Sequence, residues 1–181
     1  MEPASPRYDR PPLSLIEARL PGYGVDLYVG GMEAAGDLAL LAAHNITTVV
    51  NCAVNLDLNY AEPLPEYGDG VLFGRGRVRY YKIGLVDGHG NPATMMLAGF
   101  YILRGAMNQQ MPDRPSYQQQ ASGNVLVNCR AGRSRSVVLA ALFLRVEMPD
   151  RFPSLDAALQ HVRVRRDLRP DEWFETPKPM L

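Results

Sequence analysis

The chain is poor in the features that mark a specialised environment. Only 2 of its 181 residues are cysteine. That is too few for a disulfide framework and points to a reducing, cytoplasmic setting. Net charge is missing too, because 19 Lys and Arg balance 19 Asp and Glu. No global field therefore draws the protein to nucleic acid or to acidic membranes, and any basic site must be local. No apolar run reaches the ~18 residues of a transmembrane segment. Residues 1–12 hold no apolar stretch of the kind a secretory leader needs, so none is expected. The 3 histidines, His44, His89 and His161, show no ligand spacing with Cys52 or Cys129. Neither a metal nor another cofactor is expected.

What remains is an ordinary globular composition, 46% apolar and 21% charged, of a length that favours one domain. Residues 14–20 (SLIEARL) and 27–30 (LYVG) read as strands joined by the turn Pro21-Gly22-Tyr23-Gly24. Asp37 is placed to cap a helix through Leu38, Leu41 and Ala42, with Asn45 as its stop. The β-branched run 46–52 (ITTVVNC) reads as a buried parallel strand. Residues 54–76 form a long loop, and 78–83 (VRYYKI) the next strand. Asn91-Pro92 would open a helix, with Asn91 as N-cap and an apolar stripe of Met96, Phe100, Leu103 and Met107. Residues 109–123, with a run of three glutamines ending at Gln120, read as an exposed connector. Ser154 caps a last helix with the stripe Leu155, Ala158, Leu159 and Val162. Its arginines Arg163, Arg165 and Arg166 are expected on a solvated face near the negative end of the helix dipole. The whole reads as a single-domain α/β fold, a central mostly parallel sheet flanked by helices. A polar arm at 1–12 precedes the domain at 13–170, and a tail at 171–181 follows it.

Chemistry concentrates in residues 124–136 (NVLVNCRAGRSRS). A short apolar strand runs into Cys129, five residues separate Cys129 from Arg135, and a helical pattern runs from Val137 to Val146. A thiol at the carboxyl end of a buried strand sits where open α/β sheets bind ligands. The main-chain amides of Arg130, Ala131, Gly132, Arg133 and Ser134 would form an anion nest at a helix N-terminus. That positive field favours the thiolate. Arg135 adds a planar fork of donors suited to two oxygens of one phosphate. Gly132 permits a close backbone approach or a positive φ. Ser136 can donate a hydrogen bond to the thiolate when it leaves.

The stretch from Cys129 to Ser136 resembles the C-x5-R-[ST] loop of the cysteine-dependent phosphatases. The order of elements before it, with Tyr28-Val29-Gly30-Gly31 and residues 46–51, is similar to the dual-specificity branch. The resemblance spans roughly residues 14–166. It implies that Cys129 attacks phosphorus, that Arg135 and the loop amides hold the equatorial oxygens, and that an aspartic acid serves as general acid and base. Family order places that acid after the strand 78–83. Asp87 is the only carboxylate of residues 85–91 and has Gly88 and Gly90 beside it; Asp57 and Asp113 are the alternatives.

Three positions set this sequence apart from the family pattern. Asn128 stands where the family usually has a loop-supporting histidine, which implies a less acidic thiol. Arg130 and Arg133 make the loop unusually basic, as in lipid phosphatases of the superfamily. The substrate implied is a phosphorylated protein, carrying phosphotyrosine, phosphoserine or phosphothreonine. An anionic phospholipid, phosphatidylglycerophosphate or a phosphoinositide, is the alternative, and an inactive phospho-residue binding module is a third. In some relatives a cysteine placed like Cys52 forms a reversible disulfide with the nucleophile, and a buried apolar role is the other reading.

Overall fold

Alternation along two neighbouring strands settles the architecture. In β5 (Asn124–Asn128), Val125 and Val127 face one side of the sheet and Leu126 faces the other. In β3 (Ile46–Ala53), Val50 and Cys52 share the first side and Val49 the second. Residues that alternate in this way but are buried on both faces belong to a sheet covered on both sides. The computed structural model describes residues 9–62, 73–117, 122–179 and 181. The glutamine run, residues 1–8 of the arm and the middle of the 54–76 loop lie outside them.

The sheet has five strands in the order β1 (Leu13–Glu17), β2 (Leu27–Gly30), β5, β3 and β4 (Arg79–Leu85). Only β1 runs antiparallel; β2–β5, β5–β3 and β3–β4 are parallel. One face is covered by α1 (Met32–Gly36) and α2 (Leu38–Ala43), through Ala34, Ala35 and Leu41. The other is covered by α3 (Ala93–Asn108), α4 (Arg135–Glu147) and α5 (Leu155–Arg165). The fold is thus the expected α/β arrangement with a central mostly parallel sheet.

The strands, α2 with its Asp37 cap, and α5 with its Ser154 cap fall where the sequence places them. Asp37 accepts from Leu40 N and Ser154 from Ala157 N. Five expectations need correction. The strand expected at 14–20 stops at Glu17, since the chain turns at Arg19, whose φ is +48°. Helix α1 is missing from the sequence reading because MEAAG is too short to show a period and has no side-chain cap. Asn91 does not cap α3. Its side chain closes the preceding loop instead, accepting from Val86 N and donating to Val86 O and Gly88 O, and Pro92 takes the cap position. Leu155 is exposed, leaving Ala158 and Val162 as the buried part of its stripe.

The fifth correction concerns Arg166, which is not on a solvated face. It is 2% exposed and turns back beneath the sheet edge. Its Nε donates to Gly132 O at 3.1 Å, and its Nη1 donates to Pro11 O at 2.5 Å and to Ser14 Oγ at 3.1 Å. Burial brings the guanidinium down to about 10, so it stays charged at neutral pH. A buried cation is tolerated because acceptors surround it. Arg166→Met would leave those acceptors unpaired. The expected loss is about 3 kcal/mol of unfolding free energy, read as a lower urea midpoint; an unchanged midpoint would mean water satisfies them.

Candidate active site

The carboxyl ends of β2, β5, β3 and β4 meet at one edge, and every sequence-predicted catalytic residue lies there. Register pairs Gly30 with Asn128 and Asn128 with Asn51. Cys129 and Cys52 are therefore the next residues along adjacent parallel strands, on the same face. Between Cys129 and α4 the chain makes a tight loop of bends, and α4 begins at Arg135. The N-terminus of a 13-residue helix thus points its free amides at the thiol.

The loop is braced from outside. Gly132 has φ +67°, and a Cβ there would lie 2.5 Å from Gly30 C and O and 2.8 Å from Gly31 N. Those are backbone atoms that cannot swing away, so only glycine fits. Met32 N donates to Arg130 O at 2.9 Å, and Arg166 holds Gly132 O from behind. The turn from β2 into α1 is thus the bed on which the loop rests.

Cys129 is 2% exposed. Burial pushes its thiol up. The Ser136 hydroxyl at 3.3 Å, the main-chain N–H groups of Ser136 and Ser134, and the Arg135 charge outweigh that effect and leave it below the ordinary cysteine value. Cys52 goes the other way. Burial and the charge of Cys129 push it well above the ordinary value, against a weaker pull from Arg135. Both cysteines are free thiols.

Arg135 is 3% exposed and fixed on one edge. Its Nη1 donates to Asn55 Oδ1 at 3.0 Å and to Leu85 O at 3.1 Å. Its buried Nε has no hydrogen-bond partner among the described residues, and Asp87 Oδ1 lies 3.8 Å from it. A buried donor left open beside a thiolate is the setting for an incoming oxyanion. Asn55 was missed in the sequence. It is held by the turn after β3, where Asn51 donates to Leu56 O at 2.7 Å and accepts from Ala53 N at 2.9 Å. Its only sequence signal is its position just past a parallel strand.

Asp87 joins the site through Arg135. The alternatives do not: Asp57 is exposed and paired with Lys82, and Asp113 sits on the exposed connector. Asn128 is fully buried. Its Nδ2 donates to Cys129 O at 3.3 Å, and its Oδ1 has no partner among the described residues. The Arg130 and Arg133 side chains have no hydrogen-bond or ion-pair partner among the described residues.

No family model matches the chain, and no curated protein matches it in sequence. Solved structures do match. Human DUSP28 is similar with a TM-score of 0.54 at 23% identity, over 98% of this chain and 97% of that one. A mouse putative dual specificity phosphatase, complexed with zinc tungstate, gives 0.55 at 23%, over 99% and 91%. The Yvh1 phosphatase domain from Chaetomium thermophilum gives 0.57 at 21%, over 86% and 94%. The fold is that of the dual-specificity phosphatases. Within that fold, the chain's own arrangement is a lowered thiol on a braced loop, with a buried arginine whose charge acts on the thiol and whose Nε has no hydrogen-bond partner among the described residues.

The two thiols are expected to titrate separately. Followed by thiolate absorbance, one group titrates below the ordinary cysteine range, disappears in Cys129→Ser and persists in Cys52→Ser. Removing the hydroxyl in Ser136→Ala moves that midpoint to higher pH, because a contact favouring the charged form is gone. A midpoint unmoved by that substitution would leave the helix amides and Arg135 as the sole cause.

Proposed function

We propose that the protein is a cysteine-dependent phosphomonoester hydrolase acting on phosphotyrosine, phosphoserine or phosphothreonine in proteins, in a reducing cytoplasmic setting. The observation that carries this reading is the Cys129 thiol, lowered in spite of burial on a loop that ends at the buried, part-open guanidinium of Arg135. A phosphate group entering the loop meets the amides of residues 130–134 and the guanidinium together. Both stabilise the charge that spreads over the equatorial oxygens in the transition state.

In the first step the Cys129 thiolate attacks phosphorus. A P–S bond forms as the P–O bond to the leaving group breaks, and Asp87 gives its proton to the leaving oxygen. In the second step a water attacks phosphorus while the Asp87 carboxylate takes its proton. The P–S bond breaks, and the sulfur leaves as a thiolate that the Ser136 hydroxyl receives by hydrogen bond. Inorganic phosphate departs and Asp87 is protonated again for the next cycle. All electrons move as pairs, and the only co-reactant is water.

The unpaired Arg130 and Arg133 side chains support a substrate with negative charge next to the phosphate. Acidic residues flanking a phosphorylated side chain would supply it. Among neighbours, the human tyrosine phosphatase-like serine/threonine/tyrosine-interacting protein shares the fold, with a TM-score of 0.53 at 22% identity over 86% of this chain and 84% of that one. An interaction module is therefore the competing outcome.

The test is turnover of an aryl phosphate, of phosphopeptides and of phosphatidylglycerophosphate by the wild type, Cys129→Ser and Asp87→Ala. Cys129→Ser is expected to abolish turnover. Asp87→Ala is expected to lower kcat by about 10²-fold on substrates with poor leaving groups. Phosphopeptide binding without turnover would replace the enzyme by a binding module. Turnover confined to the lipid would move the substrate class.

A further inference from the structure

The segment after α5 shows no pattern in the sequence, yet it is fastened along its length. Glu172 and Thr176 are buried. Thr176 Oγ1 donates to Glu172 O at 2.6 Å, and Arg10 Nη2 pairs with Glu172 Oε1 at 2.6 Å. From α5, Arg163 donates its Nε to Thr176 O at 2.8 Å and its Nη2 to Trp173 O at 3.1 Å, with its guanidinium 5.1 Å from the Trp173 ring centroid. These contacts carry Lys178 to the rim of the site.

Lys178 there touches both loops that phosphoryl transfer needs. Its main-chain N–H donates to Ser134 Oγ, a side chain of the phosphate loop, at 3.1 Å. Its Nζ donates to Asp87 O at 3.2 Å and lies 3.4 Å from Asp87 Oδ2. The Ser134 hydroxyl makes no side-chain cap to α4, the helix it precedes.

An ion pair between two partly exposed side chains contributes little by itself. This one differs in what else is fixed. The ammonium holds the main-chain carbonyl of Asp87 as well as its carboxylate, so it restrains the backbone of the acid loop. The lysine in turn is held to the phosphate loop by its own backbone, and upstream by Thr176 and Glu172. The distance between the acid and the phosphate site is then set by a segment belonging to neither loop.

We propose that Lys178 is a positioning residue for Asp87, and that the C-terminal segment straps the acid loop to the phosphate loop. The inference rests on the reading of Asp87 as the general acid. Lys178 itself exchanges no proton in the reaction and acts only through Asp87. Its influence falls on the step in which the leaving oxygen must be protonated, since proton transfer depends steeply on the placement of the acid.

Leaving groups provide the test. A nitrophenyl phosphate releases an oxygen that needs little help from an acid, whereas phenyl phosphate needs the proton. In Lys178→Met, kcat on phenyl phosphate is expected to fall about tenfold while kcat on the nitrophenyl ester changes less than about twofold. Lys178→Arg, which keeps the charge and the donors, is expected to restore most of the phenyl phosphate rate. A merely structural lysine would lower both substrates equally, and an idle one neither; either result overturns the proposal. Hydrogen exchange reads the strap without turnover: amides 86–91 should exchange faster in Lys178→Met than in the wild type, and equal exchange overturns it. A wild type with no turnover that depends on Cys129 would instead overturn the enzymatic reading, which separates that failure from failure of the strap.

Discussion

A negative charge on a sulfur that is 2% exposed is unfavourable unless the chain surrounds it with fixed positive potential. That constraint at Cys129 explains more of this structure than any other. Burial alone raises the thiol, and the net shift is downward only because the Ser136 hydroxyl, the main-chain N–H groups of Ser134 and Ser136, and Arg135 act together. None of those groups can move far and still do so. The loop must therefore be rigid, and its rigidity comes from elements that take no part in chemistry. Gly132 lies against the Gly30-Gly31 backbone, Met32 N holds Arg130 O, and Arg166 holds Gly132 O.

Two buried guanidiniums flank that loop and do opposite things. Arg166 spends its donors on protein oxygens at Gly132, Pro11 and Ser14, so its role is to hold the loop's outer side in place. Arg135 is anchored along one edge by Asn55 and Leu85 but keeps its buried Nε open. A filled guanidinium is scaffold, while a half-filled one close to a lowered thiol is, in the proposed function, where the phosphate binds. Asn128 belongs to neither class. Its single long contact to Cys129 O and its unpaired Oδ1 make it a poor brace, and the thiol is lowered without it.

The sequence was legible where cause and effect are neighbours along the chain. Cys129, Gly132, Arg135 and Ser136 lie on one strand–loop–helix unit, so their spacing alone brings them together. The strands were legible for the same reason, since alternation is local. Asn55, Arg166 and Lys178 were not, because each reaches its partner across 80, 34 and 91 residues. Nothing in RVRRDLRP separates the buried Arg166 from the half-buried Arg163 or from the exposed Arg165 and Arg169; only the positions of Gly132 O and of the Trp173 and Thr176 carbonyls do. Asn91 failed differently. An asparagine before proline suits a helix cap and a loop-closing side chain equally well, and the free carbonyls and amide of the 86–88 turn decided between them.

The strap at the C-terminus follows from the same electrostatic constraint. A loop rigid enough to hold a buried thiolate cannot also swing to place an acid, so in the proposed reaction the acid comes from a different segment. Asp87 sits in such a segment, with Gly88 and Gly90 following it at φ +143° and +104°. Asn91 ties the base of that loop to Val86 and Gly88, which narrows its motion without setting its distance from the thiol. From the phosphate-loop side, Arg135 comes no nearer the carboxylate than 3.8 Å, too far for a hydrogen bond. Something outside both loops has to join them. In the described residues, Lys178 is the group that contacts Ser134 on one side and Asp87 on the other. A segment with no helix period and no strand alternation is suited to that task, because its backbone is free to follow the surface between two loops, and its few buried side chains, Glu172 and Thr176, fix where it ends up.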